Sequence, residues 1–330
     1  MNKNPYYEPG VPPRTLFNID FNSELELTYG RKWGAQTEVG NLKMVLVHRP
    51  REEDFPEEAI RDPVAYNFPE GLPDLKKMQE QHDGFVKILK EEDVEVVYLN
   101  PPTPPRGTYN ILSFLSAPRE TVVITGGAII HREALGVKRG ADLIHSRRLI
   151  ELGCPILYTV HGKGVFSGGN IVWLDSQHVL VGLGIRTNTE GVRQVEPILR
   201  MAGVEEIHLV ELAAPLRSRK HVVGGAAGFF HLDMCFGMAN HGLAVLYPGA
   251  IPYNTLKYLE EKEIDVIEVP DEEMRNFACN LLPIRPGKVI IQSGNPYTVK
   301  EIKKTGVEVI EFDFSAFKKA AQDSPVPPCL

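Results

Sequence analysis

The sequence predicts an α/β protein of five strand–helix–strand blocks packed around one central pocket. Three observations carry this. "ETVVITGGAII", "GGNIVWLDSQHVLVGLG" and "HLDMCFGMANHGLAVLYPG" each read as strand, tight turn, strand, with apolar runs of strand length between Gly or Asp-Ser turns. Amphipathic helical stretches followed by a further strand recur through the chain, as in "TEGVRQVEPILRMAG" with "VEEIHLVEL". Two strands and a helix cannot bury their own apolar face, so such units must pack on each other. No linker divides the chain, so residues 31–330 are expected to form a single domain.

Residues 1–30 are rich in Pro and Tyr without periodicity and read as an irregular arm. Leu42 to Val47 reads as a half-buried strand. Leu75, Met78, His82, Phe85, Ile88 and Leu89 follow at helical spacing, and Val94 to Leu99 closes the first block as a strand. Pro101, Pro102, Pro104 and Pro105 mark a loop. The second block opens with "ETVVITGGAII" and the third with "GGNIVWL". The fourth pairs "HLDMCFGMANHGLAVLYPG" with the helix and strand of "IPYNTLKYLEEKEIDVIEVP". "PGKVIIQSGNPYTVKEIKKTGVEVIEFD" supplies the strand, helix and strand of the fifth.

With 330 residues, 43% of them hydrophobic, the chain can bury a large core. Its formal net charge of -7 does not exclude nucleic acid but lacks the basic footprint that such binding usually requires. Apolar runs such as Ile171 to Leu174 fall far short of the roughly 20 residues that cross a bilayer. The N-terminus has no apolar signal core, and the expected location is the cytoplasm. Four cysteines without a Cys-x-x-Cys pair argue against a disulfide scaffold and a structural metal. Cys154, Cys235 and Cys279 stand in apolar surroundings and read as buried hydrophobes, whereas Cys329 stands in the polar, Pro-rich "DSPVPPCL".

Four places could carry chemistry. On a strand, His231 and Asp233 would share a face, and a carboxylate in so apolar a stretch needs a partner or a cavity. In "FSGGNIVW", Gly168 and Gly169 permit close backbone approach or positive φ, or form a tight turn and nothing more; Asn170 is the polar group that opens the strand. Arg186 stands between a strand and a helix, where its fork suits a substrate carboxylate or simply faces solvent. Cys329 is either a nucleophile, if a histidine lies near, or an incidental tail thiol. "GGAAG" at 224–228 precedes a strand rather than a helix and does not read as a phosphate cradle.

From residue 33 to 330 the chain resembles the guanidino-group-modifying superfamily of arginine deiminases, dimethylarginine dimethylaminohydrolases and amidinotransferases. The resemblance lies in "WGAQTEVGNLKMVLVHRP", "EQHDGFVKILKEEDVEVVYL", "GGAIIHREALGVKRG", "SGGNIVWLDSQHVLVGLGIRTN", "HLDMCFGMAN", "GNPYTVKEIKKTGVEVIE" and the closing cysteine. It implies a five-bladed α/β propeller, the pentein fold. It also implies covalent chemistry, with Cys329 as nucleophile, His231 as general acid and base, and Asp233 as guanidinium partner. Arg186 falls on a family arginine that holds the substrate carboxylate, and Lys138 and Arg139 fall near a second one.

The departures from the family are as informative. Where deiminases carry a guanidinium-gripping Asp, "SAPRETVV" places Arg119, with Glu120 one residue further on. The family's Glu-Gly-Gly-Asp becomes Ser167-Gly168-Gly169-Asn170, neutral at both ends. Removing one partner of a buried charge pair costs about 3–5 kcal/mol, so free arginine is expected to bind poorly. Glu120 restores a carboxylate, or the substrate is less cationic than arginine, or the pocket only binds. The expected activity is cysteine-dependent hydrolysis of a non-peptide C–N bond in a small guanidino- or amidino-type compound. The alternatives are amidino transfer by the same chemistry and a non-catalytic binding protein. No cofactor or metal is implied, the expected partner is a small molecule, and small relatives of this kind often form homo-oligomers.

Overall fold

A computed structural model gives the fold and describes residues 6–15, 18–55, 57–64, 68, 71–101, 118–134, 136, 139–212 and 231–320. Among the described residues, the strands form five separate sheets. The first pairs β1 (Met44–Val47) with β2 (Glu95–Tyr98) in parallel. Each of the other four is a hairpin with a third strand laid parallel on the far side of its middle strand. These sheets comprise β3 (Val122–Ile124), β4 (Gly127–Ile130) and β5 (Ile156–Thr159), then β6 (Ile171–Trp173), β7 (His178–Leu183) and β8 (Glu206–Glu211). They continue with β9 (Phe236–Asn240), β10 (Leu243–Leu246) and β11 (Asp265–Glu268), and end with β12 (Leu281–Arg285), β13 (Lys288–Gln292) and β14 (Glu308–Phe312). The helices are α1 (Phe21–Tyr29), α2 (Glu57–Arg61), α3 (Leu75–Glu91), α4 (Ala141–Glu151), α5 (Thr189–Met201), α6 (Tyr253–Glu261), α7 (Asp271–Met274), α8 (Pro296–Lys304) and α9 (Ser315–Ala320).

The middle strands explain why the chain packs as it does. Successive side chains on a strand point to opposite faces. In β10, Ala244 and Leu246 join the apolar cluster shared with the third sheet, while Leu243 and Val245 join the one shared with the fifth. β4 divides in the same way, with Ala128 and Ile130 toward Trp33 and Met44, and Ile129 toward the third sheet. β7 splits Leu180 from Val179 and Val181, and β13 splits Ile290 from Val289 and Ile291. A strand covered on both faces reads as a continuous apolar run, as these do. The clusters run in sequence from sheet to sheet. The last one joins Ile284 and Ile290 of the fifth sheet to Phe85, Leu89, Val45 and Val96 of the first block.

Three details differ from the sequence reading. The stretch 1–30 is not irregular throughout, because α1 occupies Phe21–Tyr29. Asp20 Oδ2 accepts from Ser23 N at 3.2 Å at its start, and Gly30 ends it at φ 80°. The second block is completed by α4 and β5, and the fifth opens with β12. Most important, "HLDM" is not strand. Leu232–Met234 form a 3-10 turn, and β9 begins only at Phe236. Like turns at Pro118–Glu120 and Gly168–Asn170 stand just before β3 and β6, and the three turns pack on one another. Among the described residues, no helix is long and apolar enough to cross a membrane.

Candidate active site

The three packed turns bring most of the expected site residues together. His231 and Asp233, 2% and 4% exposed, flank the turn ahead of β9 instead of lying on a strand face. Local bonding explains the difference. Cys235 N donates back to Leu232 O at 3.0 Å, which closes the turn, and Leu232 N donates to Asn170 Oδ1 at 2.9 Å. His231 Nδ1 and Asp233 Oδ1 lie 4.0 Å apart, close enough to interact electrostatically but beyond a hydrogen bond.

Of the readings open for the glycines, close approach is the one that applies. A Cβ on Gly169 would lie 2.0 Å from His231 Nδ1, and one on Gly168 would lie 2.0 Å from the Arg119 carbonyl oxygen. Neither has positive φ. Asn170 is buried and donates from Nδ2 to Thr187 Oγ1 at 3.0 Å while its carbonyl holds Leu232 N. An aspartate there would lack the Nδ2–H that Thr187 Oγ1 receives. Ser167 N also donates to Thr187 Oγ1, at 3.2 Å. The Ser167 hydroxyl donates to Glu120 Oε2, and Glu120 is only 4% exposed.

The neighbouring residues Arg119 and Glu120 therefore divide their tasks. Glu120 lies against Ser167, whereas Arg119 Nε lies 3.1 Å from Asp233 Oδ2. The same guanidinium donates from Nη2 to both carboxylate oxygens of Glu38 at 3.4 Å, and Glu38 also accepts from Trp173 N. Arg119, Asp233, Glu38 and Asn280 line a crevice of about 10 Å³, room for roughly one water. Asn280 reaches the Asp233 carbonyl through Nδ2 at 3.4 Å.

Arg186 is not a surface arginine. It is 2% exposed, and its Nη1 donates to Glu133 Oε2 at 3.2 Å, with Glu133 itself buried. Thr121, next to Glu120, places Oγ1 2.9 Å from His131 Nδ1 and 3.1 Å from His145 Nδ1. One hydroxyl proton cannot serve both rings, so at least one of the two imidazoles presents an Nδ1–H to the Thr121 oxygen. Cys329 and Lys138 lie outside the described residues. Cys154, Cys235 and Cys279 are free and buried. Burial pushes the Cys154 thiol up to about 12 and raises the other two as well, so these three are packing groups. Among the described residues, no group of three His, Cys, Asp or Glu could hold a metal ion.

Glu38, Glu133 and Asn280 escaped the sequence reading. Asn280 had a usable signal: it stands immediately before the first strand of its block, the place Asn170 holds in another. Glu38 and Glu133 carry no periodic or positional signal, since each is brought in by packing between distant segments.

The family model for arginine deiminase matches residues 251–321. The 2-nitroimidazole nitrohydrolase of Mycobacterium sp. (strain JS330) is 24% identical, over 96% of this chain and 87% of that protein. The N(G),N(G)-dimethylarginine dimethylaminohydrolase of Pseudomonas aeruginosa is 27% identical, over 76% of this chain and 86% of its own. Among solved structures, a dimethylarginine dimethylaminohydrolase adduct with S-methyl-L-thiocitrulline superposes with a TM-score of 0.64 at 23% identity, covering 84% of this chain and 95% of that one. An amidinotransferase of saxitoxin biosynthesis from Microseira wollei gives 0.65 at 17% identity, covering 90% and 96%. By these likenesses the chain is similar over most of its length to a dimethylarginine dimethylaminohydrolase, and its fold is the one that the dimethylarginine dimethylaminohydrolase and amidinotransferase structures share.

Proposed function

We propose that the chain is a cysteine-dependent hydrolase of a non-peptide C–N bond in a small guanidino- or amidino-type compound. The observation that supports this most is the convergence of three turns from successive blocks, which buries His231 and Asp233 beside Asn170 and Arg119. The Cys329 thiolate adds to a carbon flanked by nitrogens. The C–N bond to the leaving group breaks as His231 gives that group a proton. Water then adds to the S-bound carbon, His231 takes its proton, and the thiolate departs. Asn170 holds the His231 turn in place through Leu232, and Gly169 leaves room for the imidazole. Arg186 is assigned to the far end of the substrate, beside Glu133, with Lys138 and Ser167 as further lining groups. The five sheets are read as five blades around one axis, with residues 31–330 as a single catalytic domain. The passage of apolar clusters from the fifth sheet back to the first supports that reading.

The test is intact-protein mass spectrometry after incubation with guanidino, ureido and amide compounds. 2-Nitroimidazole joins the panel because its C2 is also flanked by two nitrogens and a relative acts on it. A covalent adduct on Cys329, lost together with turnover in Cys329→Ser, is the expected result. Full activity in that variant refutes the mechanism. Amines included as acceptors distinguish transfer from hydrolysis by the mass of the released product.

A further inference from the structure

We infer that Arg119 is a built-in guanidinium which occupies Asp233, so that the site turns away cationic guanidino compounds and selects, within the proposed class, amidino-type ones carrying no positive charge at the reacting end. This deepens the hydrolase reading and rests on it for the location of the reacting carbon. The contact is specific: Arg119 Nε lies 3.1 Å from Asp233 Oδ2, and Nη2 spans both oxygens of Glu38. Side-chain exposure is 21% for Arg119, 6% for Asp233 and 15% for Glu38, so all three are largely withdrawn from water.

Arg119 is also fixed from behind. Its carbonyl oxygen lies where a Cβ on Gly168 would have to be, so its turn is locked to the turn that carries Asn170. A substrate guanidinium seeking Asp233 would therefore meet an arginine already there. The crevice on one side of the pair holds about 10 Å³, too little for a second planar cation there. Two guanidinium groups on one carboxylate would repel each other where little water screens them. Displacing Arg119 would instead separate it from Asp233 and leave its charge only partly compensated by Glu38.

A neutral carbon between two nitrogens meets neither obstacle. Its electrophilicity comes from an electron-withdrawing leaving group rather than from a charge of its own. The cation that an arginine-type substrate would bring is then supplied by the protein.

Isothermal titration with N-methylguanidine chloride, at constant ionic strength, tests this on the full chain. The wild type and Arg119→Lys, which both keep a cation at the site, are expected to show no saturable binding. Arg119→Ala, which vacates Asp233, is expected to bind at least about tenfold more tightly than the wild type, and Asp233→Asn added to Arg119→Ala is expected to remove the gain. If Arg119→Ala loses its native circular dichroism, Arg119→Gln carries the test. Wild-type binding as tight as that of the neutral variants overturns the inference. So does the absence of any gain in a folded Arg119→Ala or Arg119→Gln protein. Titration requires neither Cys329 nor turnover, so activity retained in Cys329→Ser sinks the hydrolase reading while the charge-selection result is scored separately.

Discussion

Residue 169 has room for a hydrogen atom and none for a methyl group. A methyl group there would fall 2.0 Å from His231 Nδ1, so Gly169→Ala must push the imidazole aside. Misplacing a reacting group by about 1 Å can cost roughly 100-fold in rate. Gly169→Ala is thus expected to lose about that factor in kcat with much less change in KM or melting temperature, as steady-state kinetics and calorimetry would show. Asn170→Ala acts differently, since it leaves Leu232 N without its acceptor and removes one of the two donors to Thr187 Oγ1. Leaving a buried polar group unsatisfied costs about 1–3 kcal/mol, so a drop of about that size is expected in chemical denaturation. Thiol chemistry offers a third check. With Cys154, Cys235 and Cys279 buried and raised in pKa, iodoacetamide at neutral pH should label Cys329 first. Labelling of Cys235 at a comparable rate would contradict its burial. At this scale the sequence was legible where one residue type implies one need, as with a carboxylate in an apolar run. It could not show that Arg119 rather than Glu120 faces Asp233, because that depends on which way a three-residue turn faces.

At the scale of elements, legibility followed periodicity. The α3 helix was readable because its apolar residues recur on one face, and Met78, Phe85 and Leu89 are indeed buried. The α4 helix was not. Its sequence "ADLIHSRRLIE" mixes polar and apolar residues, and its N-cap is Gly140, which offers no side-chain bond. Strand β12 hid behind Pro283, a residue that argues against a strand interior. It is tolerated because β12 pairs only with β13 among the described residues, leaving its other side without a ladder. The "HLDM" turn looked like strand because its alternation runs on into β9. One short element carries a pH prediction. Asp54, in the 3-10 turn Glu52–Asp54 that follows β1, is buried, which by itself raises its pKa. His48 Nε2 at 2.5 Å and Arg51 outweigh that and hold the carboxyl below its usual range. A carboxylate depressed in the folded state stabilises above its unfolded pKa of about 3.9, and that contribution is lost as pH falls through the folded value. Asp54→Asn should cost roughly 1.5–3 kcal/mol at neutral pH, and its stability should fall less steeply than that of the wild type below about pH 4. Urea titrations across that range would show a parallel loss if Asp54 contributes nothing.

Over the whole molecule, the apolar clusters link each sheet to the next, and the last links back to the first block. Phe85 sits at that closing contact, buried, with ring centroids 5.3 Å from Phe314 and 6.2 Å from Phe312. Phe85→Ala is expected to destabilise by about 3–5 kcal/mol, and unfolding should remain a single transition because the blocks depend on one another. Separate melting of the first block would contradict that interdependence. The five-block plan was readable because each block must find a neighbour to cover it; the return contact was not, because nothing local encodes a meeting of residues 85 and 314. The turns ahead of β3, β6 and β9, together with the residue ahead of β12, put Glu120, Asn170, Asp233 and Asn280 within three residues of the first strand in four successive blocks. Randomising those four codons alone would vary the polar groups that meet at these strand entries, a compact starting library for directed evolution in which the demand at position 170 limits how many members fold.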